Sequence, residues 1–447
     1  MRPRLALLCL VMIAGSALLA APAWMACDRR PARRPDVILI VIDTLRADHL
    51  GAYGYDRDTS PVLDAFARQN VKFNFAIATS PWTAPSVASV FTGLYPTVHG
   101  VVGHAPRRKA ELRKEVAALD DELETLAEAL KKAGYRTAGI TANAWVADYL
   151  GFAQGFDAFD TINRQSASQV NELAFDFLES VAVDDAPFFL YLHYMDPHAP
   201  YKLPRDARRF PPRSANRHYD SEMQRRLAGY DAEIRYVDAK IGELFDFLRE
   251  KGLYDRAVIV VTGDHGEQFR EHGGAGHGFR FYNEEIHVPL MLRANELRAE
   301  IDHTVSLLDI YPTLLELTDA ESTYSTQGVS LLRPARERTG VLSETNHTRN
   351  QRAFTSRSGN KLILSFRSAW IEIEDERTQQ KVVGLFDSRR DRFERSRLED
   401  DQLLDEMRSS LDELYRDSLS RRRRAAAPAV KLNEETIREL EALGYLE

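Results

Sequence analysis

Ligand-type side chains follow each of three apolar runs. Asp43 follows residues 37–42, Asp196 and His198 follow residues 188–192, and Asp264 and His265 follow residues 257–261. Carboxylate and imidazole groups hold divalent cations and move protons. A charged Asp43 at the end of a buried run needs a partner, which a metal ion or the N-terminus of a following helix would supply. Asp196 has two open readings, a metal ligand or the holder of a turn. Asp264-His265 stands between Gly263 and Gly266, and such glycines let the backbone turn sharply beside an ion. A mixed carboxylate and imidazole set suits Zn²⁺ or Mn²⁺ better than Ca²⁺, which prefers all-oxygen shells. Ca²⁺ and Mg²⁺ stay open, as does the count of one or two ions.

The elements that must position these groups are legible from periodicity. The three runs read as fully buried parallel strands of an α/β protein. In open α/β sheets ligands bind beyond the carboxyl ends of the strands, so the three runs would bring their polar residues to one edge of one sheet. Helices are expected at residues 60–69, 123–133 (closed by Gly134) and 228–251 (followed by Gly252). Residues 202–221, rich in Pro, Arg and Asp, read as a long loop over the site. From residue 340 the pattern changes to short strands at 353–366, 369–374 and 381–387, with Gly359-Asn360 as a hairpin turn. A charged stretch at 389–401 and a terminal amphipathic helix at 434–446 complete the expectation.

The segment Ser80-Pro81-Trp82-Thr83-Ala84-Pro85-Ser86, closing at Thr92-Gly93, resembles the nucleophile segment of the sulfatase-like branch of the alkaline phosphatase superfamily. Asp196-Pro197-His198-Ala199-Pro200-Tyr201 and the stretch from Gly276-His277 to Pro289-Leu290 are similar to the same group. The resemblance implies a mixed, mostly parallel central sheet flanked by helices, with a small C-terminal α+β subdomain. It implies Thr83 as nucleophile and metal ligand beside Asp43, Asp264 and His265. His198 and His277 would then be catalytic, and Asp196, His198, His272 and His277 would serve a second metal or the substrate. Arg46, Lys202 and Arg280 are candidate substrate contacts, and His193, on a strand, reads as structural. Three departures stand out. Family members carry Cys or Ser, matured to formylglycine, where this chain has Thr83, which cannot be matured that way. Thr44 replaces a second Asp, and Val87 an Arg.

A free threonine hydroxyl is a weak nucleophile and needs activation by a metal or by a helix N-terminus, where N–H groups favour anions. Residues 86–92 read as that helix. The expected reaction is therefore hydrolysis of a phosphate ester, or transfer of its phospho-group, through a Thr83 covalent intermediate. Two alternatives are a sulfuric ester hydrolase without formylglycine and a non-catalytic, metal-stabilised binding protein.

Residues 1–27 read as an export signal, with basic Arg2 and Arg4 before an apolar stretch. Cys9 lies inside it, and Cys27, the other of two cysteines, is a candidate lipidation site. Cleavage after Ala23 and an uncleaved anchor are the alternatives. The expectation is an exported protein of the cell envelope, tethered to the membrane if Cys27 is lipidated. The domain plan is a signal at 1–27, a linker at 28–35, a catalytic domain at 36–340 and a C-terminal subdomain at 341–447. The formal net charge of -8 argues against nucleic acid as a partner. It would repel anionic polymers at long range, though a local basic pocket could still hold one. The expected partner is a small-molecule, lipid or glycan ester. Oligomeric state is not legible.

Overall fold

The computed structural model describes residues 33–102, 115–162, 166–203, 207–212, 219–295, 297–333, 338–345, 350–366, 380–422, 427–434 and 436–438. Cys27 and the expected export signal lie outside the described residues, as do the expected strand at 369–374 and most of the terminal helix. Among the described residues no helix is long and apolar enough to cross a membrane.

In chain order the site-bearing part runs β1 (Asp36–Ile42), α1 (Pro61–Gln69), β2 (Val71–Ile77), α2 (Thr83–Thr92), α3 (Leu126–Lys132), β3 (Arg136–Thr141), β4 (Ala158–Thr161), α4 (Ala167–Val181), β5 (Phe188–Tyr194), α5 (Ser221–Glu250), β6 (Ala257–Gly263), β7 (His287–Arg293), β8 (Ala299–Ile301) and β9 (Val305–Ser306). These strands form one nine-stranded sheet in the order β8-β2-β7-β6-β1-β5-β3-β4, with β9 also on β2. Only β7 runs against its neighbours, so the sheet is mixed and mostly parallel. The three apolar runs of the sequence are β6, β1 and β5, side by side and parallel. Ile42 sits opposite both Tyr194 and Gly263, so all three chains leave the sheet at the same level.

Helices cover both faces, which is why β1 is buried along its whole length. On one face Phe66 of α1 stacks on Phe245 of α5 at 5.1 Å, and Phe175 of α4 on Phe247 at 4.3 Å. On the other, Phe91 of α2 meets Tyr191 of β5 edge-on at 4.8 Å.

Helix boundaries follow capping more closely than periodicity. α3 begins at Leu126 rather than 123, because Thr125 and Glu128 form a capping box. α5 begins seven residues before the expected start, because the Asp220 carboxylate accepts from Met223 N–H at 2.9 Å.

A second, antiparallel sheet follows: β10 (Gly340–Thr345), β11 (Gln351–Ser356), β12 (Asn360–Phe366) and β13 (Gln380–Asp387). Gly359, with φ 95°, makes the expected hairpin turn between β11 and β12. The sheet packs on α6 (Asp401–Arg421) through Phe354, Leu364, Met407, Leu411 and Tyr415. Sequence periodicity does not reveal α6, because its charged outer face masks a narrow apolar stripe.

Candidate active site

The edge where β1, β5 and β6 end carries the chemistry. Asp43 leaves β1 with its N–H bonded to Tyr194 O at 2.9 Å. Thr44 then takes a left-handed conformation, φ 54°, and its N–H donates to Asp264 Oδ1 at 3.2 Å. Neither Gly263 nor Gly266 has a left-handed backbone. They let backbones approach: a Cβ on Gly263 would lie 2.6 Å from Leu45 O, and one on Gly266 would lie 2.1 Å from Glu284 O.

Thr83 is the first residue of α2, not its cap; the cap position is Trp82. Ser86 Oγ ties this helix to the Asp264 carbonyl at 2.6 Å. Thr83 Oγ1 lies 3.2 Å from His265 Nε2. His265 Nδ1–H donates to Gly266 O at 2.9 Å, so the Nε2 lone pair faces the cluster. Burial, then the nearby His277, pulls the His265 pKa down to about 3, keeping the ring neutral as a metal ligand requires.

Asp43, Asp264 and His265 are buried, and one ligand atom from each lies within 4.8 Å of the others. Asp43 Oδ1 and Asp264 Oδ2 are buried without a hydrogen-bond donor. Burial and then the Asp43 charge push the Asp264 carboxyl well up. Two buried carboxylates with outward lone pairs beside a neutral imidazole fit a divalent cation, whose charge removes their mutual repulsion. Among the described residues this is the one such group.

Two histidines border it. The His277 ring lies 4.5 Å from that of His265 and 5.1 Å from that of His198. Its loop is pinned by Gly278 N–H to Pro81 O at 2.8 Å, and by Phe279 and Arg280 N–H groups to Glu285 Oε2. His277 Nδ1 meets Glu267 Oε2 at 3.1 Å. Burial lowers the His277 pKa, but Glu267 more than offsets it, and the net shift is upward. For His198 burial dominates and the net shift is downward. The two rings therefore shift in opposite directions, His277 toward keeping its proton and His198 toward the neutral form.

The sulfatase family profile matches residues 35–320. This chain belongs to the sulfatase family. It is 23% identical over 381 residues to the uncharacterized sulfatase YidJ of Escherichia coli K12, covering 70% of this chain and 73% of that one. Among solved structures it superposes with TM-score 0.69 and 19% identity on one bound to its substrate D-glucosamine-2-N,6-O-disulfate, covering 87% of this chain and 98% of the other. The phosphonate monoester hydrolase of Agrobacterium radiobacter superposes with TM-score 0.65 and 20% identity, covering 90% and 99%. The fold is that of the alkaline phosphatase and sulfatase superfamily, and the chain is a sulfatase-family hydrolase.

Within this sulfatase-family fold, several residues singled out from sequence sit elsewhere. Arg46 is 2% exposed and fully engaged by Asp48, Glu271 and the Glu267 carbonyl, so it braces the fold rather than reaching a substrate. His272 pairs with Glu284 at 2.6 Å and stacks on Tyr282 at 3.5 Å, a brace outside the cluster. Asp196 accepts from Ala167 N–H at 2.8 Å and so holds the start of α4; burial pushes its carboxyl up to about 6. Arg280 donates to His272 O and lines a separate cavity against the second sheet. Lys202 lines a cavity of about 170 Å³ with Asp196, His198 and Glu233.

Two residues are not singled out from sequence, and a third is given only a structural role. Asn143, two residues past β3, donates through Nδ2 to Asp43 Oδ2 and lies 3.4 Å from Thr83 Oγ1. Its signal was the rule applied to the other strands, a polar residue just past a strand end, in a strand too rich in small residues to stand out. Glu267 was visible in Asp264-His265-Gly266-Glu267 but had no assigned partner. His193 reads as structural from its place on a strand. Strand alternation puts it on the α2 face with Tyr191, and its Nε2 lies 3.5 Å from Asp43 Oδ2.

Proposed function

We propose that this chain is a metal-assisted hydrolase of tetrahedral oxyanion esters in which Thr83 is the nucleophile. The observation that carries the reading is the placement of Thr83 Oγ1 at the start of α2, touching His265 and Asn143 over the Asp43, Asp264 and His265 group. A divalent cation held by Asp43, Asp264 and His265, Zn²⁺ or Mn²⁺ by donor chemistry, would lower the pKa of the hydroxyl and offset oxyanion charge. Asn143 Nδ2 orients both the hydroxyl and the Asp43 carboxylate. The N–H groups opening α2 favour the anionic group being attacked. His277, held protonated by Glu267, gives its proton to the leaving oxygen. Thr83 Oγ1, ionised with its proton lost to solvent, forms the new bond to sulfur or phosphorus as the ester oxygen departs carrying the proton from His277. Water then releases the acid.

Among the oxyanions, a sulfate ester of a small molecule or glycan has the support of a relative named as a sulfatase and of a structural neighbour bound to a disulfated glucosamine as its substrate. The second reading is a phosphate or phosphonate ester, and Thr83 itself favours it. A sulfated formylglycine can expel sulfate by breaking its C–O bond, whereas a modified threonine must be cleaved by attack at the central atom, a step familiar for phosphorus. The likeness to a phosphonate monoester hydrolase is in line with that. Transfer to an acceptor alcohol in place of water uses the same intermediate. The leader-like residues 1–27 and Cys27 support export to the cell envelope.

The test is turnover of p-nitrophenyl sulfate, p-nitrophenyl phosphate and bis-p-nitrophenyl phosphate by the Zn²⁺- or Mn²⁺-loaded protein and its Thr83→Ala variant. Sulfate turnover lost in the variant supports the first reading, and phosphorus turnover lost in it supports the second. Turnover that survives Thr83→Ala sinks the nucleophile assignment. Bound metal with no turnover on any ester points to a binding protein.

A further inference from the structure

An open cleft of about 780 Å³ lies beside His198, between the residues that follow it and one face of α5. Arg225, Arg226, Gly229 and Ala232 line it at helical spacing, and Arg209 faces them from the loop. Arg208 and Arg57, close by, are paired with Asp58 and Asp231. No described carboxylate lies within ion-pair range of Arg209, Arg225 or Arg226. Among the described residues Glu222 is the one carboxylate lining the cleft, so the described wall carries a net positive charge in a chain of formal net charge -8. The rest of the described wall is apolar, with Pro200, Tyr201 and Phe210 prominent.

The cleft leads toward the chemistry. It shares Ala199 and Pro200 with the smaller cavity of about 170 Å³ that reaches His198, Asp196 and Glu233. From Arg226 to Glu233 the helix rises seven residues, roughly 10 Å. A substrate with its ester beside His198 would pass carboxyl groups able to bond hydroxyls, then apolar walls, then guanidinium groups. Apolar walls with cations at one end suit rings bearing peripheral charge better than a bare chain of phosphates.

Building on the ester-hydrolase reading, we propose that Arg209, Arg225 and Arg226 form a specificity subsite for a second anionic group, sulfate or carboxylate, on an oligosaccharide substrate. These residues touch the remote part of the substrate and set which ester is chosen, not how fast the bond breaks.

The test is equilibrium binding of a fluorescent heparin-derived tetrasaccharide to the full chain and to an Arg225→Glu/Arg226→Glu variant, with thermal melting as the fold control. Arg225→Gln/Arg226→Gln serves if charge reversal unfolds the chain. Tight binding by the wild type, weakened by salt and at least tenfold weaker in the variant, is the expected result. Neutral maltotetraose should bind neither protein. Equal affinity in the two proteins, or no tetrasaccharide binding at all, overturns the proposal. Tripolyphosphate binding as tightly as the tetrasaccharide overturns the oligosaccharide assignment. Wild-type turnover of p-nitrophenyl esters, measured alongside, reports on the hydrolase reading separately. Turnover with no tetrasaccharide binding removes the subsite alone, and charge-dependent binding with no turnover removes the hydrolase reading instead.

Discussion

Thr83 Oγ1 and His265 Nε2 lie 3.2 Å apart although 182 residues separate them in the chain. One comes from the first turn of α2, the other from the end of β6. Ser86, three residues into the helix, holds the Asp264 carbonyl at 2.6 Å and fixes the two elements together. Thr83→Ala should therefore leave the fold intact and reduce turnover by on the order of 10³-fold or more. Thr83→Ser should keep substantial activity, since it keeps the hydroxyl. Steady-state kinetics with a thermal melt for each variant checks both.

Asn143 acts on Asp43 and Thr83 together. Asn143→Ala should lower kcat or metal affinity by roughly 10- to 100-fold, the range for groups that orient a metal's ligands. KM should move less than kcat. An unchanged kcat and an unchanged metal affinity would show that the contacts are only packing.

Glu267 raises the His277 pKa against the opposing effect of burial. A raised value keeps His277 protonated to higher pH, so activity that needs its proton falls as pH rises through that value. Glu267→Gln removes the supporting charge, and the alkaline limb of the pH–rate profile should move to lower pH. A limb that stays in place would separate His277 from the proton transfer.

Stripping divalent ions should abolish turnover and lower thermal stability, because Asp43 and Asp264 then face each other buried without a counter-charge. An ion present at a thousandfold excess over its Kd adds about 4 kcal/mol to stability. Calorimetry with and without a chelator, followed by titration with Zn²⁺, Mn²⁺, Mg²⁺ and Ca²⁺, reads both the shift and the preferred ion.

Arg46 holds Asp48 and Glu271 in a buried network. Arg46→Ala leaves those carboxylates without their cation and should cost about 3 to 5 kcal/mol. Denaturant melts should show that loss. A variant of full stability with a raised KM would return Arg46 to the substrate-binding role that sequence suggested.

The sequence by itself determined the central sheet and its working edge. Val37–Ile42, Phe188–Leu192 and Ala257–Val261 are continuous apolar runs, and a run buried on both sides has one stable place, the middle of a parallel sheet. Polar residues directly after such runs must appear at its carboxyl edge, so Asp43, Asp264 and His265 were legible as a group. The tertiary structure alone decided which remaining polar residues join them. Arg46 and His272 carry ordinary site chemistry, yet carboxylates satisfy them inside the fold, Glu271 for Arg46 from 225 residues along the chain and Glu284 for His272 from 12 residues along it. Asn143 and His193 looked unremarkable, yet strand order and side-chain alternation aim them at Asp43. Local sequence encodes period and burial, which are properties of one element. Partnership between side chains 100 or more residues apart depends on how elements meet, and only the packed chain contains that information.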